Sequence, residues 1–379
     1  MAPTQIVHAG RLLGTDSPMD GPGWIAIHDG LIASTGSGDA PEGDVLSLPS
    51  LTAVPGFIDM HSHGGAGHHF TDGAEPARIA AHMHLQHGTT TIVASLVSAG
   101  ETDLADQITA LKPLVADGTL AGIHLEGPWI SAHHHGAHDK HALRSPEPAE
   151  IDHLIGLGSI VMVTLAPELP YAIDAVRRLV DAGVVVAIGH TGASDAVTHE
   201  AIDAGATVAT HIFNAMPAMH HREPGPVGAL LGDPRVTIEV IADMHHLHPD
   251  VVRLVRRAAG PQRVALVTDA MAAAGAADGD FHLGSLDVHV VDGIARVADT
   301  GALAGSTLTL DRSVRNVVRD AGWPLEDAVR AVTETPARTL GLADRGILAP
   351  GRRADIVLLD NDANVCAVMR SGAWIVDPR

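Results

Sequence analysis

Between residues 52 and 268 one texture recurs: a short, almost wholly apolar run, then a segment of helical spacing. The runs are 52–59, 90–95, 120–126, 160–165, 183–189, 206–211, 236–241 and 264–268. A strand that is apolar at nearly every position is covered on both faces, which means a parallel sheet with helices packed over it. The intervening segments EPARIAAHMHLQHG, AIDAVRRLVDAG and HPDVVRLVRRAAG place apolar residues three and four apart and stop at glycine. Eight such β/α units predict an α/β fold, a closed (β/α)8 TIM-like barrel.

The ends of these runs carry the chemistry. VPGFIDMHSH delivers His61 and His63, GIHLEG Glu126, VVVAIGH His190, VATH His211 and VALVTD Asp269. In a (β/α)8 barrel all strand C-termini open onto one face, so residues far apart in sequence converge there. Imidazoles and carboxylates are the ligands that borderline divalent metals prefer. One such histidine is ordinary in a chain with 26, but the full set at one face predicts a metal centre. His61 and His63 point the same way from an extended strand end. Glu126 can bridge two ions with its two oxygens, or cap the turn that follows it. Asp269 sits where a buried carboxylate needs a partner. A bound ion acidifies water and polarises a carbonyl, and a neighbouring aspartate can take the water's proton and return it to a leaving amine. Hydrolysis of an amide, or deamination, is the expected reaction class. A catalytically inert barrel serving as an assembly module is the alternative from another class, and the intact ligand set argues against it.

The two ends of the chain read differently. TQIVHAGRLL, GWIAIHDGLIAST and DVLSLPSLTAV at the start, and ADIVLLDNDANVCAVMRSGAWIV at the end, are short β segments broken by Gly, Pro and Asp. They predict one small β-sandwich built from residues 1–52 and 346–379, flanking a barrel domain over 53–345. Residues 276–300 read as an extra β excursion, and STLTLDRSVRNVVRDAG and LEDAVRAVTETPARTLG as two helical segments leading back to the terminal sheet. The net charge of −21 argues against nucleic acid and anionic membranes as partners, but an anionic small substrate needs only a local cluster. The start lacks a basic, long-apolar leader, no run approaches a membrane span, and the lone Cys366 cannot form an intrachain disulfide. Cytoplasm is the expected compartment.

The ordered set H-x-H, Glu, His, His, Asp on a barrel with a two-ended sheet domain resembles the amidohydrolase superfamily. Members that bridge two metals with a carbamylated lysine carry it at the fourth strand end. Here that strand ends VTLAPELP, and the only lysines are Lys112 and Lys140, so Glu126 has to bridge instead. HLEGPWI, GHTGAS, THIFNAMPAMHHREPG, LVTDAMAAAG, GALAGSTLTL and GILAPGRRADIVLLD resemble, in order, the blocks of the N-acetylglucosamine-6-phosphate deacetylase family. That resemblance implies hydrolysis of a phosphorylated amino sugar's acetamide to glucosamine 6-phosphate and acetate, in amino-sugar catabolism and cell-wall recycling. It implies a divalent metal, one or two per subunit, with Zn2+ foremost and Fe2+ or another ion as alternatives. It also implies a homodimer.

By position, the resemblance makes His138 a contact of the sugar or its acyl carbonyl, beside Ala137, and a catalytic partner of Asp269. Asn214 and Ala215 would offer amides to the phosphate. Arg222, in REPG, would pair with that phosphate from a neighbouring subunit. Independently, arginine suits a phosphate through its planar donor fork and permanent charge. His246 aligns with a substrate histidine, and Leu303, Ala304 and Gly305 with a segment lining the sugar pocket. The chain departs from the family at Met244-His245-His246, where Gly-Leu-His is usual, which predicts a bulkier wall or a displaced His246. It departs again in the three histidines at 133–135. An adenine-deaminase-like or dipeptidase-like enzyme is the alternative activity, and neither would need Arg222.

Overall fold

The computed structural model describes residues 5–378 apart from 17, 18 and 20; residues 1–4, at the head of the first expected domain segment, lie outside the described residues. Every one of the eight apolar runs holds a strand: β1 (Phe57–Ser62), β2 (Thr89–Leu96), β3 (Gly122–Glu126), β4 (Ile160–Leu165), β5 (Val185–Ile188), β6 (Val208–Ala209), β7 (Thr237–Ile241) and β8 (Val264–Val267). They lie side by side in sequence order in one eight-stranded sheet, parallel throughout. The circle closes between the exits of β1 and β8, where the Asp269 N–H donates to the His61 carbonyl at 2.8 Å. Nearby, the Thr268 hydroxyl donates to Asp59 Oδ2 at 2.5 Å.

Period-two alternation divides each strand between two environments. Ile123, Leu125, Val163, Leu165, Ile238, Val240, Val264 and Leu266 belong to the large apolar shell shared with the helices. Met60, Met162, Ala187, Val208, Ile241, Ala265 and Val267 instead pack together as a second, smaller core within the strands. The same inward parity carries polar groups nearer the strand exits. His124 lies between the Ser95 and Thr164 hydroxyls at 2.9 and 2.8 Å, and the Thr164 hydroxyl in turn meets that of Thr210 at 2.8 Å. A buried polar layer of this kind is tolerable because its members satisfy one another.

The terminal β segments join as one seven-stranded sheet in the order 373–376, 365–370, 356–359, 44–55, 5–12, 23–28, 31–37. Its far edge bends back, with Leu31 bridging Arg353, and the strands enclose a core that includes Val7, Ile25, Ile32, Ile356 and Leu358. The expected sandwich is thus a single sheet folded over on itself. One boundary is corrected. Residues 52–55 extend the strand Asp44–Pro55 and pair with Ile356–Leu359, so the barrel strand expected over 52–59 starts only at Phe57. Gly56 marks the change, because a Cβ there would meet the Thr90 side chain at 2.1 Å.

The excursion over 276–300 is a three-stranded antiparallel sheet, Gly279–Leu283, Leu286–Val291 and Ile294–Val297. The segment LEDAVRAVTETPARTLG forms two helices rather than one, Leu325–Val332 and Glu334–Thr339. Pro336 explains the break, since its ring and missing N–H are compatible with the first turn of a helix but not with its middle. Among the described residues no helix is long and apolar enough to cross a membrane.

Candidate active site

His61 lies within β1 and Glu126 closes β3. His190, His211 and Asp269 each stand two residues beyond a strand, after β5, β6 and β8. All three take left-handed backbone angles, with φ of 49°, 25° and 47°. Such angles cost on the order of 1–3 kcal/mol per non-glycine residue, and here they turn three side chains from the barrel rim toward its axis. Gly127 permits the matching turn after Glu126. Its φ is +77°, and a Cβ would sit 2.3 Å from Ser98 Oγ.

The six expected metal residues do converge. His61 Nε2 and His63 Nε2 are 3.3 Å apart, and both lie 3.3–3.5 Å from Asp269 Oδ1. His190 Nε2 and His211 Nε2 are 3.1 Å apart and stand 3.1 and 3.0 Å from Glu126 Oε1. Glu126 spans the two groups, with its Oε2 3.0 Å from His63 Nε2. Every one of these side chains is almost wholly buried.

What distinguishes this cluster from a packed histidine core is the far nitrogen of three of its four rings, His211 Nδ1 having no partner among the described residues. The Nδ1–H of His61 donates to Glu239 Oε2 at 3.1 Å, that of His63 to the Ser95 carbonyl at 3.1 Å, and that of His190 to the His134 carbonyl at 3.0 Å. Each such bond fixes the tautomer with a bare lone pair on Nε2. The lone pairs of His61 and His63, 3.3 Å apart, repel one another unless a proton or a metal cation lies between them. The donor set therefore fits a divalent ion. His61, His63, Glu126 and Asp269 form one group whose ligand atoms all lie within 4.8 Å of one another; Glu126, His138 and His190 are as close, but the His138 ring acts there as a donor.

The two carboxylates make the cluster a place that favours positive charge: with no ion bound His63 takes a proton on Nε2 as well, and a bound ion would displace it. Burial would depress the His63 imidazole, but Asp269 and Glu126 outweigh it and hold it up at about 9. Burial would raise Asp269, but the charge of His61 and the hydrogen bond from His63 hold it down at about 2. Asp269 is thus a carboxylate at neutral pH, able to accept a proton. Burial pushes His190 down to about 4, which keeps it neutral.

Above the cluster opens a cavity of about 250 Å³. Ala137, His138, Asn214, Ala215, His246, Leu303 and Gly305 line it, together with Val97, Leu283 and Ala302. The three-stranded excursion supplies Leu283, and the Ser285 hydroxyl ties it to Asp139 Oδ2 at 2.8 Å. His138 is a donor toward the cavity. Its Nδ1 accepts from the Ser98 N–H at 3.3 Å and lies 2.9 Å from that residue's hydroxyl, so the ring proton sits on Nε2, 3.4 Å from Glu126 Oε2.

Several expectations need correction. Ala304 is fully buried in the core of the excursion and does not line the cavity. Arg222, expected to act on a neighbouring subunit's cavity, needs no correction: it is exposed and does not line the cavity of its own chain. Asn214 spends its main-chain N–H and its side-chain amide on the His211 carbonyl, at 3.0 and 3.1 Å. His246 is not displaced; its Nδ1–H donates to Asp243 Oδ2 at 2.7 Å. Met244 packs against the barrel's apolar shell instead of narrowing the pocket. In the histidine triplet, the His134 main chain serves the site by accepting from His190. Sequence reasoning missed Ser98, His124, Glu239 and Asp243. For His124 and Glu239 the available signal was a polar residue of inward parity inside an apolar run, whereas Ser98 and Asp243 lie just past the strand ends.

Comparison with known proteins places this geometry. The amidohydrolase family model matches residues 52–375. The chain is 36% identical over 377 residues to an N-acetylgalactosamine-6-phosphate deacetylase of Escherichia coli O157:H7, covering 97% of this chain and 98% of that one. It is 36% identical over 344 residues to an N-acetylglucosamine-6-phosphate deacetylase of Bos taurus, covering 86% and 84%. Among solved structures it resembles a mutant N-acetyl-D-glucosamine-6-phosphate deacetylase from Mycobacterium smegmatis in complex with N-acetyl-D-glucosamine-6-phosphate. There the TM-score is 0.95 at 45% identity, over 99% of this chain and 100% of that one.

Proposed function

This chain belongs to the amidohydrolase family, and from that premise we propose that it hydrolyses the acetamide of N-acetyl-D-glucosamine 6-phosphate. The products are D-glucosamine 6-phosphate and acetate, in amino-sugar catabolism, with the cytoplasm as compartment. The observation that carries the reading is the set of tautomer-fixed histidines whose bare Nε2 atoms surround Glu126 beside the Asp269 carboxylate.

His61, His63, Glu126, His190, His211 and Asp269 would hold one or two divalent ions, zinc or iron by donor type. Such an ion, when bound, polarises the amide carbonyl and acidifies the attacking water. Asp269 takes the proton of that water as it attacks the acyl carbon. The His138 Nε2–H steadies the acyl oxygen, on which negative charge grows. Asp269 then gives its proton to the sugar nitrogen, the C–N bond breaks, and acetate and the free amine leave. His246 Nε2 faces the cavity as an acceptor for a sugar hydroxyl.

Arg222 is the group proposed for the phosphate, reaching the cavity of a partner subunit in a homodimer. Its exposed place on its own subunit supports that reading. Replacing Arg222 with alanine should weaken binding by roughly 1.5–3 kcal/mol, about ten- to a hundredfold. Dimers mixed from Arg222→Ala and Asp269→Asn chains should regain activity, because one of their two sites is intact. Hybrids isolated without any recovery would remove the shared site.

The function itself is tested by comparing acetate release from N-acetylglucosamine 6-phosphate with that from the unphosphorylated sugar and from N-acetylgalactosamine 6-phosphate. A clear preference for a 6-phosphate is expected, and equal rates with and without phosphate would refute the substrate class. The galactosamine epimer belongs in the comparison because a relative of equal identity carries that name.

A further inference from the structure

Glu239 lies at an inward position of β7, between Ile238 and Val240, which face the apolar shell. It is fully buried, at 0% exposure. Its Oε2 accepts two hydrogen bonds, from the His61 Nδ1–H at 3.1 Å and from the His211 main-chain N–H at 3.2 Å. Its Oε1 has no partner among the described residues. Among the described residues His61 is its one ion-pair partner.

A buried carboxylate needs a counter-charge, and one imidazole is a poor one unless a cation stands on the ring's far side. That far side is His61 Nε2, which faces Glu126, His63 and Asp269. The same oxygen also holds the amide of His211, a residue at the strained φ of 25° in the neighbouring group of ligands. One side chain therefore ties together a ligand from β1 and a ligand after β6. A glutamate in this place does nothing for packing that a methionine or glutamine of similar size would not do.

We propose that Glu239 is a positioning residue that sets the affinity of the His61–His63 side for its ion. Through the Nδ1–H bond it fixes the His61 tautomer and makes Nε2 a stronger donor, and through the amide bond it orients His211. Carboxylates in this relation to a ligating histidine are typically worth about ten- to a hundredfold in metal affinity. The inference rests on the metal reading above, which the zinc content of the wild-type protein tests separately.

The test loads wild-type and Glu239→Gln protein with zinc and challenges both with graded chelator, measuring retained metal by mass spectrometry. Melting of both proteins in excess chelator is followed alongside. Glutamine keeps the shape and an acceptor oxygen but loses the charge. The expected result is zinc held about ten- to a hundredfold more weakly, with the metal-free melting temperature unchanged. Equal retention overturns the proposal, and so does a metal-free protein destabilised in step with its zinc loss, which marks a merely structural role. If the variant does not fold, nitrogen NMR of histidine-labelled, zinc-loaded wild type decides. His61 protonated at Nδ1 supports the proposal, and His61 unprotonated there overturns it. A wild-type protein that holds no zinc removes the metal reading and this inference with it, whereas a wild type that holds zinc as tightly as Glu239→Gln removes this inference alone.

Discussion

Asparagine in place of Asp269 should lower turnover by about 10²- to 10⁴-fold, the usual worth of general acid–base assistance, while the metal stays bound. Asp269 touches the ligand cluster, 3.3 Å from His63 Nε2, and lines the substrate cavity. Glu126 lines it too, but its two oxygens are taken up among four histidines of the cluster. Its imidazole neighbours hold Asp269 down at about 2, so it is a carboxylate rather than a carboxylic acid at neutral pH. Asparagine fills the same space and can still hydrogen-bond, but it cannot take the water's proton. His61, His63, Glu126, His190 and His211 remain to hold the ion. Steady-state kinetics with metal analysis on the same sample make the check. A variant with more than about a tenth of wild-type turnover would rule out the base role. One that purifies without metal would make Asp269 chiefly a ligand.

Replacing Glu126 with glutamine should do more, because the loss falls on the metal itself. Its carboxylate lies 3.0–3.5 Å from the Nε2 atoms of His61, His63, His190 and His211, at 3% exposure. Glutamine offers one neutral oxygen where two charged ones had served both groups. Its NH2 would face at least one bare imidazole lone pair, which makes a hydrogen bond but no ligand. Metal content should fall to less than half of wild type, and turnover by more than about 10⁴-fold, beyond what loss of the base alone is expected to cost. Restoring activity with excess zinc would show that affinity was lost rather than chemistry. A Glu126→Gln protein with full metal and near-normal turnover would contradict the bridging role.

The barrel and the ligands at its rim were legible because one signal fixes both. A fully apolar run marks a covered strand, and its last residue marks the open face, so His61, Glu126 and Asp269 were placed by where hydrophobicity stops. The layer beneath was harder to read. Glu239 sits inside TIEVI, and its partner His61 is 178 positions earlier; no local pattern announces a bond across a closed barrel. His124 shares the inward parity of Glu126 two residues on, a cue that shows its direction but not its hydroxyl neighbours Ser95 and Thr164. The error at 52–59 has the same origin. Residues 52–55 and 57–59 are equally apolar because each is covered on both sides, one stretch in the terminal sheet and the other in the barrel. Arg222 shows the opposite case, since its expected role depends on a second subunit and nothing in its own chain brings it to the cavity.

The central claim is that metal held by these histidines and carboxylates enables hydrolysis of a phosphorylated N-acetyl amino sugar. The most direct measurement is acetate released from N-acetylglucosamine 6-phosphate as chelator-stripped protein is titrated with zinc or ferrous iron. Negligible release is expected without metal, with a rise that saturates at one or two equivalents per subunit. Full activity in the stripped protein, or no acetate at any loading with either ion, would contradict the claim.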